Sequence, residues 1–112
     1  MKILILGAGG MLGHKLYQQL SLSQKNVKAV FRKNKSHYLP YNIYKPENII
    51  DEIDVLEEKN LIQLLDREQP DIVCNAIGIT TRKIIPEDSH LVVYLNSYLP
   101  HLLSHWLSLI HI

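Results

Sequence analysis

The feature that most constrains this chain is a short apolar run that stops on glycine. Ile3-Leu4-Ile5-Leu6 is followed at once by Gly7-Ala8-Gly9-Gly10-Met11-Leu12-Gly13. An unbroken apolar run ended in this way predicts a strand over residues 2–6 that is buried on both faces, as in a parallel sheet covered by helices. Beyond the glycines, Met11, Leu12, Leu16, Tyr17 and Leu20 recur at helical spacing, and residues 21–26 supply a polar exit. The pattern predicts a helix over 11–22.

Further along, residues 27–31 alternate apolar and polar side chains before the basic stretch Arg32-Lys33-Asn34-Lys35, which predicts a second strand ending in a charged loop. Residues 36–50 contain Pro40, Pro46 and three tyrosines without a clear period. They predict an irregular excursion that leads to a short strand near 49–53. Leu61, Ile62, Leu64 and Leu65 mark one side of a helix over 57–68, which Pro70 bars from continuing. Residues 71–76 predict another buried strand. Asp88 or Ser89 then opens a helix to about residue 107, striped by Leu91, Val92, Leu95, Leu99, Leu102 and Leu103 and kinked or interrupted at Pro100. Strands alternating with helices imply a doubly wound parallel sheet with right-handed crossovers.

The 112 residues hold one domain, spanning 1–112. With 46% hydrophobic and 21% charged residues the chain has a globular rather than a disordered composition. A net charge of +1 argues against a dedicated nucleic-acid or polyanion binder, whose basic residues would be in excess. Cys74 is the single cysteine, so no disulfide framework exists, and its apolar run marks it as a small buried hydrophobe. The apolar segment before the glycines is too short for a signal-peptide core or a membrane span, so a cytoplasmic location is the expectation.

A glycine loop between a buried strand and a helix has a specific chemistry. Gly7 permits the tight turn, Gly10 lets backbone approach a pyrophosphate, and Gly13 allows the helix to pack closely on the sheet. Backbone N–H groups at the helix start, carrying roughly half a positive charge from the helix dipole, then face the phosphates.

The spacing Gly7-x-x-Gly10-x-x-Gly13, with Met11 and Leu12 inside it, resembles the extended short-chain dehydrogenase/reductase pattern. Further segments follow in the order of that family. Asp54-Val55 resembles the pair that touches the adenine, and Asn75-Ala76-Ile77-Gly78 resembles the segment lining the ribose and nicotinamide side. Asn96, in Asn96-Ser97-Tyr98-Leu99-Pro100, resembles the asparagine of the following helix. Together with Gly10-Met11-Leu12-Gly13 these stretches look like the dTDP-4-dehydrorhamnose reductase-like group, and the resemblance runs through the whole chain. It implies a Rossmann-type fold, incomplete at about four strands, with residues 107–112 resembling the opening of a fifth. It also implies a nicotinamide dinucleotide cofactor and, in the full-length protein, a nucleotide-sugar substrate of surface-polysaccharide synthesis. Thr80, Thr81, Arg82 and Lys83, after the fourth strand, either meet substrate or form a solvated loop.

Cofactor choice turns on the end of the second strand. A carboxylate there accepts hydrogen bonds from the ribose 2′-OH of NAD and repels a 2′-phosphate. No acid lies between Asn26 and Lys45, whereas Arg32 and Lys33 do, which favours NADP(H) over NAD(H) unless the basic stretch is only a solvated loop.

The catalytic Tyr-x-x-x-Lys pair of the resembled family belongs after the fifth strand, so no catalytic residue is assigned here. Tyr41-Asn42-Ile43-Tyr44-Lys45 matches the pattern but stands before the third strand between two prolines, and it is rejected. His101 and His105 lack the intervening glutamate and third ligand of a zinc site, so no metal is expected.

Three readings remain. One is the cofactor-binding part of a sugar-nucleotide reductase, another is a non-catalytic NADP(H)-binding or regulatory module, and the third, which needs the basic stretch at 32–35 to be incidental, is a flavin- or nucleotide-sugar-only binder. In each, a fourth strand lacking its neighbour would expose an edge prone to self-association.

Overall fold

A computed structural model of the protein describes residues 1–77 and 99–110. The chain divides into two compact units, Met1–Ala76 and Ile77–Ile112. The first contains strands β1 (Ile3–Leu6), β2 (Val27–Val30), β3 (Ile49–Ile50) and β4 (Ile72–Asn75), with helices α1 (Met11–Ser23) and α2 (Glu58–Glu68). All strand pairings are parallel and the order is β3-β2-β1-β4. Among the described residues this is a Rossmann-like α/β fold with a four-stranded parallel sheet.

β1 lies between β2 and β4, and each of its residues is buried. Consecutive strand residues point to opposite faces. Ile3 and Ile5 join Ala8, Tyr17, Val27, Ala29, Phe31 and Tyr44 in one cluster, so the intervening Leu4 and Leu6 are covered from the other face. The topology explains why both faces are filled. The β1-to-β2 crossover through α1 and the β3-to-β4 crossover through α2 run in opposite directions across the sheet, and two right-handed crossovers of opposite direction lie on opposite faces. Of the apolar stripe expected on α2, Leu61, Leu64 and Leu65 are buried, and Ile62 is half-buried. Gln69 ends the helix in the left-handed region at φ 47°, and the following Pro70 is fully buried.

The second strand and the α2 segment follow the sequence periodicity; the first helix forms where expected, but of its apolar stripe only Tyr17 is buried, Leu16 and Leu20 are half-buried, and Met11 and Leu12 are exposed. Residues 36–50 are more ordered than expected. They form three single helical turns, Lys35–His37, Leu39–Tyr41 and Pro46–Asn48. Such turns have no apolar period of their own. Among the described residues β4 pairs with β1 alone, and Ile72 is 39% exposed rather than buried.

Described by itself, the second unit contains helix α3 (Leu99–Ile110), with Pro100 in its first turn, where a missing N–H costs no helical hydrogen bond. Leu102, Leu103 and Trp106 are buried while His101, Ser104 and His105 are exposed. The expected opening of a fifth strand at 107–112 is corrected here, because residues 107–110 continue this helix. Their brief apolar-polar alternation is too short to set a period of two, and no glycine or proline separates them from the helical stripe that precedes them. The expected helix from 88 to 98 lies outside the described residues.

The beginning of β1 is tied to both ends of the α2-β4 connection. Lys2 Nζ meets Glu68 Oε1 at 2.9 Å, Arg67 Nε donates to Glu68 Oε2 at 3.1 Å, and Asp71 N donates to Lys2 O at 2.9 Å. Burial alone would raise the Glu68 pKa, but hydrogen bonds from Lys2 and Arg67, and then their charges, hold it below the ordinary glutamate value. A lowered carboxylate stabilises the fold above its unfolded pKa and loses that contribution as pH falls through the folded value. Glu68→Gln is therefore expected to cost ~0.5 kcal/mol at neutral pH in urea unfolding, and the gap to the wild type should close below about pH 4.

Candidate functional site

In an open parallel sheet, ligands bind beyond the carboxyl ends of the strands, where the strand order reverses. Here β1 connects outward to β2 on one side, while β4 arrives on the other, so the reversal falls between β1 and β4. The glycine loop leaves β1 at that point. Asn75 is paired in register with Leu6, and Ala76 N donates to Leu6 O at 3.0 Å, which carries the expected Asn75-Ala76 segment to the same place.

Each glycine of the spacing has a distinct local reason. Gly7 adopts φ 73°, a conformation that side chains disfavour, and its carbonyl accepts from Gly10 N at 3.1 Å to close the turn. A Cβ on Gly13 would stand 2.1 Å from Gly7 O and 2.7 Å from Ala8 Cα, so only glycine lets α1 begin against the loop. Gly10 differs, since a Cβ there would meet nothing nearer than Gly7 O at 3.5 Å. Packing among the described residues therefore does not require glycine at this position.

The start of α1 suits an anion. Gly10 is its N-cap without a side-chain cap, and no acidic residue occupies the first turn. Helix geometry leaves the first N–H groups, from Met11 onward, without intrahelical acceptors. Met11 and Leu12 are 86% and 61% exposed, apolar surface lying directly beside those donors.

Gly7, Gly9 and Gly10 share a groove of about 290 Å³ with Arg32 and Lys33, and Val30, Phe31, His37 and Tyr38 complete its lining. The two basic residues expected to read the cofactor are thus brought to the glycine loop. His37 and Tyr38 were not legible as site residues, because they lie in a segment without periodicity. Acids also approach the basic loop from β3. Asp51 Oδ2 accepts from Lys35 N at 2.7 Å, and Glu52 Oε1 accepts from Asn34 Nδ2 at 3.4 Å. Those carboxylates engage residues 34 and 35 and do not line the groove.

Asp54 and Val55 are not in its lining either. Ile53 N donates to Phe31 O at 3.0 Å, so they follow closely on the end of β2. The Asp54 carboxylate accepts from Leu56 N at 3.0 Å and stabilises the turn before α2, while Val55 is buried. Gly78, Asn96 and the Thr80 to Lys83 loop lie outside the described residues.

Tyr41 and Lys45 do not share a helical face. Tyr41 ends a single turn, and Asn42 stands in the left-handed region at φ 57°. Among the described residues no three His, Cys, Asp or Glu side chains gather as a metal site would require, and no helix is long and apolar enough to cross a membrane. Cys74 is half-buried, and burial pushes its thiol pKa up.

The sequence matches the RmlD substrate binding domain family over residues 1–105. The chain belongs to that family. Its members are dTDP-4-dehydrorhamnose reductase-like, nicotinamide-dinucleotide-dependent oxidoreductases of the sugar-nucleotide reductase type. No curated protein matches the sequence. Among solved structures the fold is similar to L-threonine dehydrogenase from Clostridium difficile, with a TM-score of 0.64 and 24% identity. That similarity covers 90% of this chain and 31% of the dehydrogenase, so the family member described here spans less than a third of that protein.

The glycine geometry separates stability from binding. Gly13→Ala is expected to lower the unfolding free energy by ~2 to 3 kcal/mol, read from urea denaturation followed by circular dichroism. Gly10→Ala should stay within ~1 kcal/mol of the wild type in the same assay, because its Cβ has room.

Proposed function

We propose that this chain is the cofactor-binding part of an NADP(H)-dependent sugar-nucleotide reductase, with a nucleotide sugar as substrate of the full-length protein. The observation that carries the reading is the single groove joining the glycine loop to Arg32 and Lys33. A dinucleotide laid along it would set its pyrophosphate against Gly10 and the uncapped N–H groups of Met11, Leu12 and Gly13. Its adenosine end would lie toward Arg32 and Lys33, where a guanidinium suits bidentate contact with a 2′-phosphate.

Among the described residues no carboxylate lines that part of the groove to accept from a ribose 2′-OH, which supports NADP(H) over NAD(H). Asn75 and Ala76, at the strand-order reversal, fit the ribose and nicotinamide side, and Gly78 and Asn96 extend the same assignment along the sequence. Asp54 and Val55 would border the adenine from the end of the β2-β3 pairing. When bound, the dinucleotide supplies hydride; the residues named here bind and orient it.

Binding to the 112-residue chain, followed by the fluorescence of the reduced cofactor, tests the reading. NADPH should bind at least ~10-fold more tightly than NADH, and Arg32→Ala should remove about that factor for NADPH while leaving NADH within twofold. Equal affinity for the two cofactors in the wild type would refute the NADP(H) assignment.

A further inference from the structure

The excursion between β2 and β3 carries a cluster of aromatic rings that reaches back to the glycine loop. Tyr38 stacks on Phe31 with ring centroids 3.9 Å apart, and Tyr44 meets Phe31 edge-on at 4.8 Å and Tyr17 at 5.0 Å. From this cluster two contacts touch the loop itself. The buried Tyr44 hydroxyl donates to Ala8 O at 2.6 Å. The Tyr38 ring lies so close to Gly9 that a Cβ there would come within 2.8 Å of Cε1.

Ala8 O and Gly9 N–H belong to one planar peptide and point in opposite directions. Fixing the carbonyl therefore fixes the direction of the N–H. The other side of Ala8 is also held, because its own N–H donates to Val30 O at 3.3 Å. This peptide needs a restraint: glycines at 7, 9 and 10 give the loop more backbone freedom than residues with side chains would. Burial, with the neighbouring Tyr38 and Tyr17 adding to it, pushes the Tyr44 pKa up to about 12, so the hydroxyl keeps its proton to donate at neutral pH.

We infer that Tyr44 is a positioning residue for the cofactor: its hydroxyl, through Ala8 O, holds the Ala8-Gly9 peptide in the orientation that receives the dinucleotide's phosphates. The inference rests on the proposed dinucleotide site and adds to it a determinant that touches no ligand. Tyr38 braces the same peptide from the side, so the tyrosine-rich excursion acts as a strap over the phosphate loop.

Two ligands separate positioning from general support. NADP⁺ uses both the glycine loop and the basic end of the groove, whereas adenosine 2′-monophosphate has no pyrophosphate and uses only the basic end. Tyr44→Phe should weaken NADP⁺ about 5- to 10-fold by calorimetry and leave adenosine 2′-monophosphate within twofold. Tyr17→Phe is the control. It removes another buried hydroxyl, which accepts from Lys45 N and Asn48 Nδ2, and it should leave both ligands within twofold. Equal weakening of both ligands by Tyr44→Phe, or no weakening of NADP⁺, overturns the inference. A wild-type protein that binds adenosine 2′-monophosphate but not NADP⁺ overturns it too, and one that binds neither removes the dinucleotide site with it. A readout that needs no variant is the Gly9 amide order parameter in the ligand-free protein. A value near ~0.85 supports the strap, and one below ~0.6 overturns it even if Tyr44→Phe fails to fold.

Discussion

The first unit depends on how closely α1 can begin against the turn that leaves β1. At Gly13 the helix lies so near the carbonyl of Gly7 that a single methyl group would overlap it. That approach lets the crossover from β1 to β2 stay short, sets Tyr17 into the cluster over Ile3 and Ile5, and aims the uncapped start of the helix past the end of the sheet. Packing and ligand geometry are therefore one constraint at this point. A bulkier residue would push the helix away from the sheet and turn its N–H groups away from the groove.

The sheet supplies the second half of the arrangement. With the strand order β3-β2-β1-β4, the order reverses between β1 and β4, and open parallel sheets bind ligands beyond the carboxyl ends of the strands at such a point. The end of β2 delivers Arg32 and Lys33 on one side of the loop, and the end of β4 delivers Asn75 and Ala76 on the other. On one face α1 and the aromatic strap cover the central strand, while α2 buries Leu61, Leu64 and Leu65. The site borrows its rigidity from that buried strand, and the loop borrows more from Tyr38 and Tyr44.

Much of this arrangement is legible in the amino-acid sequence. A four-residue apolar run ending on glycine can be read as a buried parallel strand because no solvated strand tolerates it, and the spacing of Gly7, Gly10 and Gly13 has meaning only in the turn it occupies. The α2 segment is legible because four apolar residues and a following proline define both its face and its end. Residues 36–50 are not, since isolated helical turns leave no period to read. The same weakness of short windows makes residues 107–110 look like the start of a strand, when they prolong a helix whose stripe begins earlier. His37 and Tyr38 escape notice as groove residues for the first reason. The acids beside the basic loop escape because Asp51 and Glu52 lie 16 to 18 residues away from their partners along the chain.

By itself, the sequence determined β1, β2, β4, α1 and α2, the parallel arrangement they imply, and the glycine turn that leaves β1, because each follows from local periodicity or from the backbone freedom of glycine. Only the tertiary structure decided which distant residues serve that loop. The tyrosine hydroxyl that holds Ala8 comes from 36 residues away. The carboxylates near Lys35 engage the loop's far end and leave the groove lining to Arg32 and Lys33. Those outcomes are set by through-space contacts between segments of no regular period, and a linear pattern carries no record of which side chains the crossovers bring together.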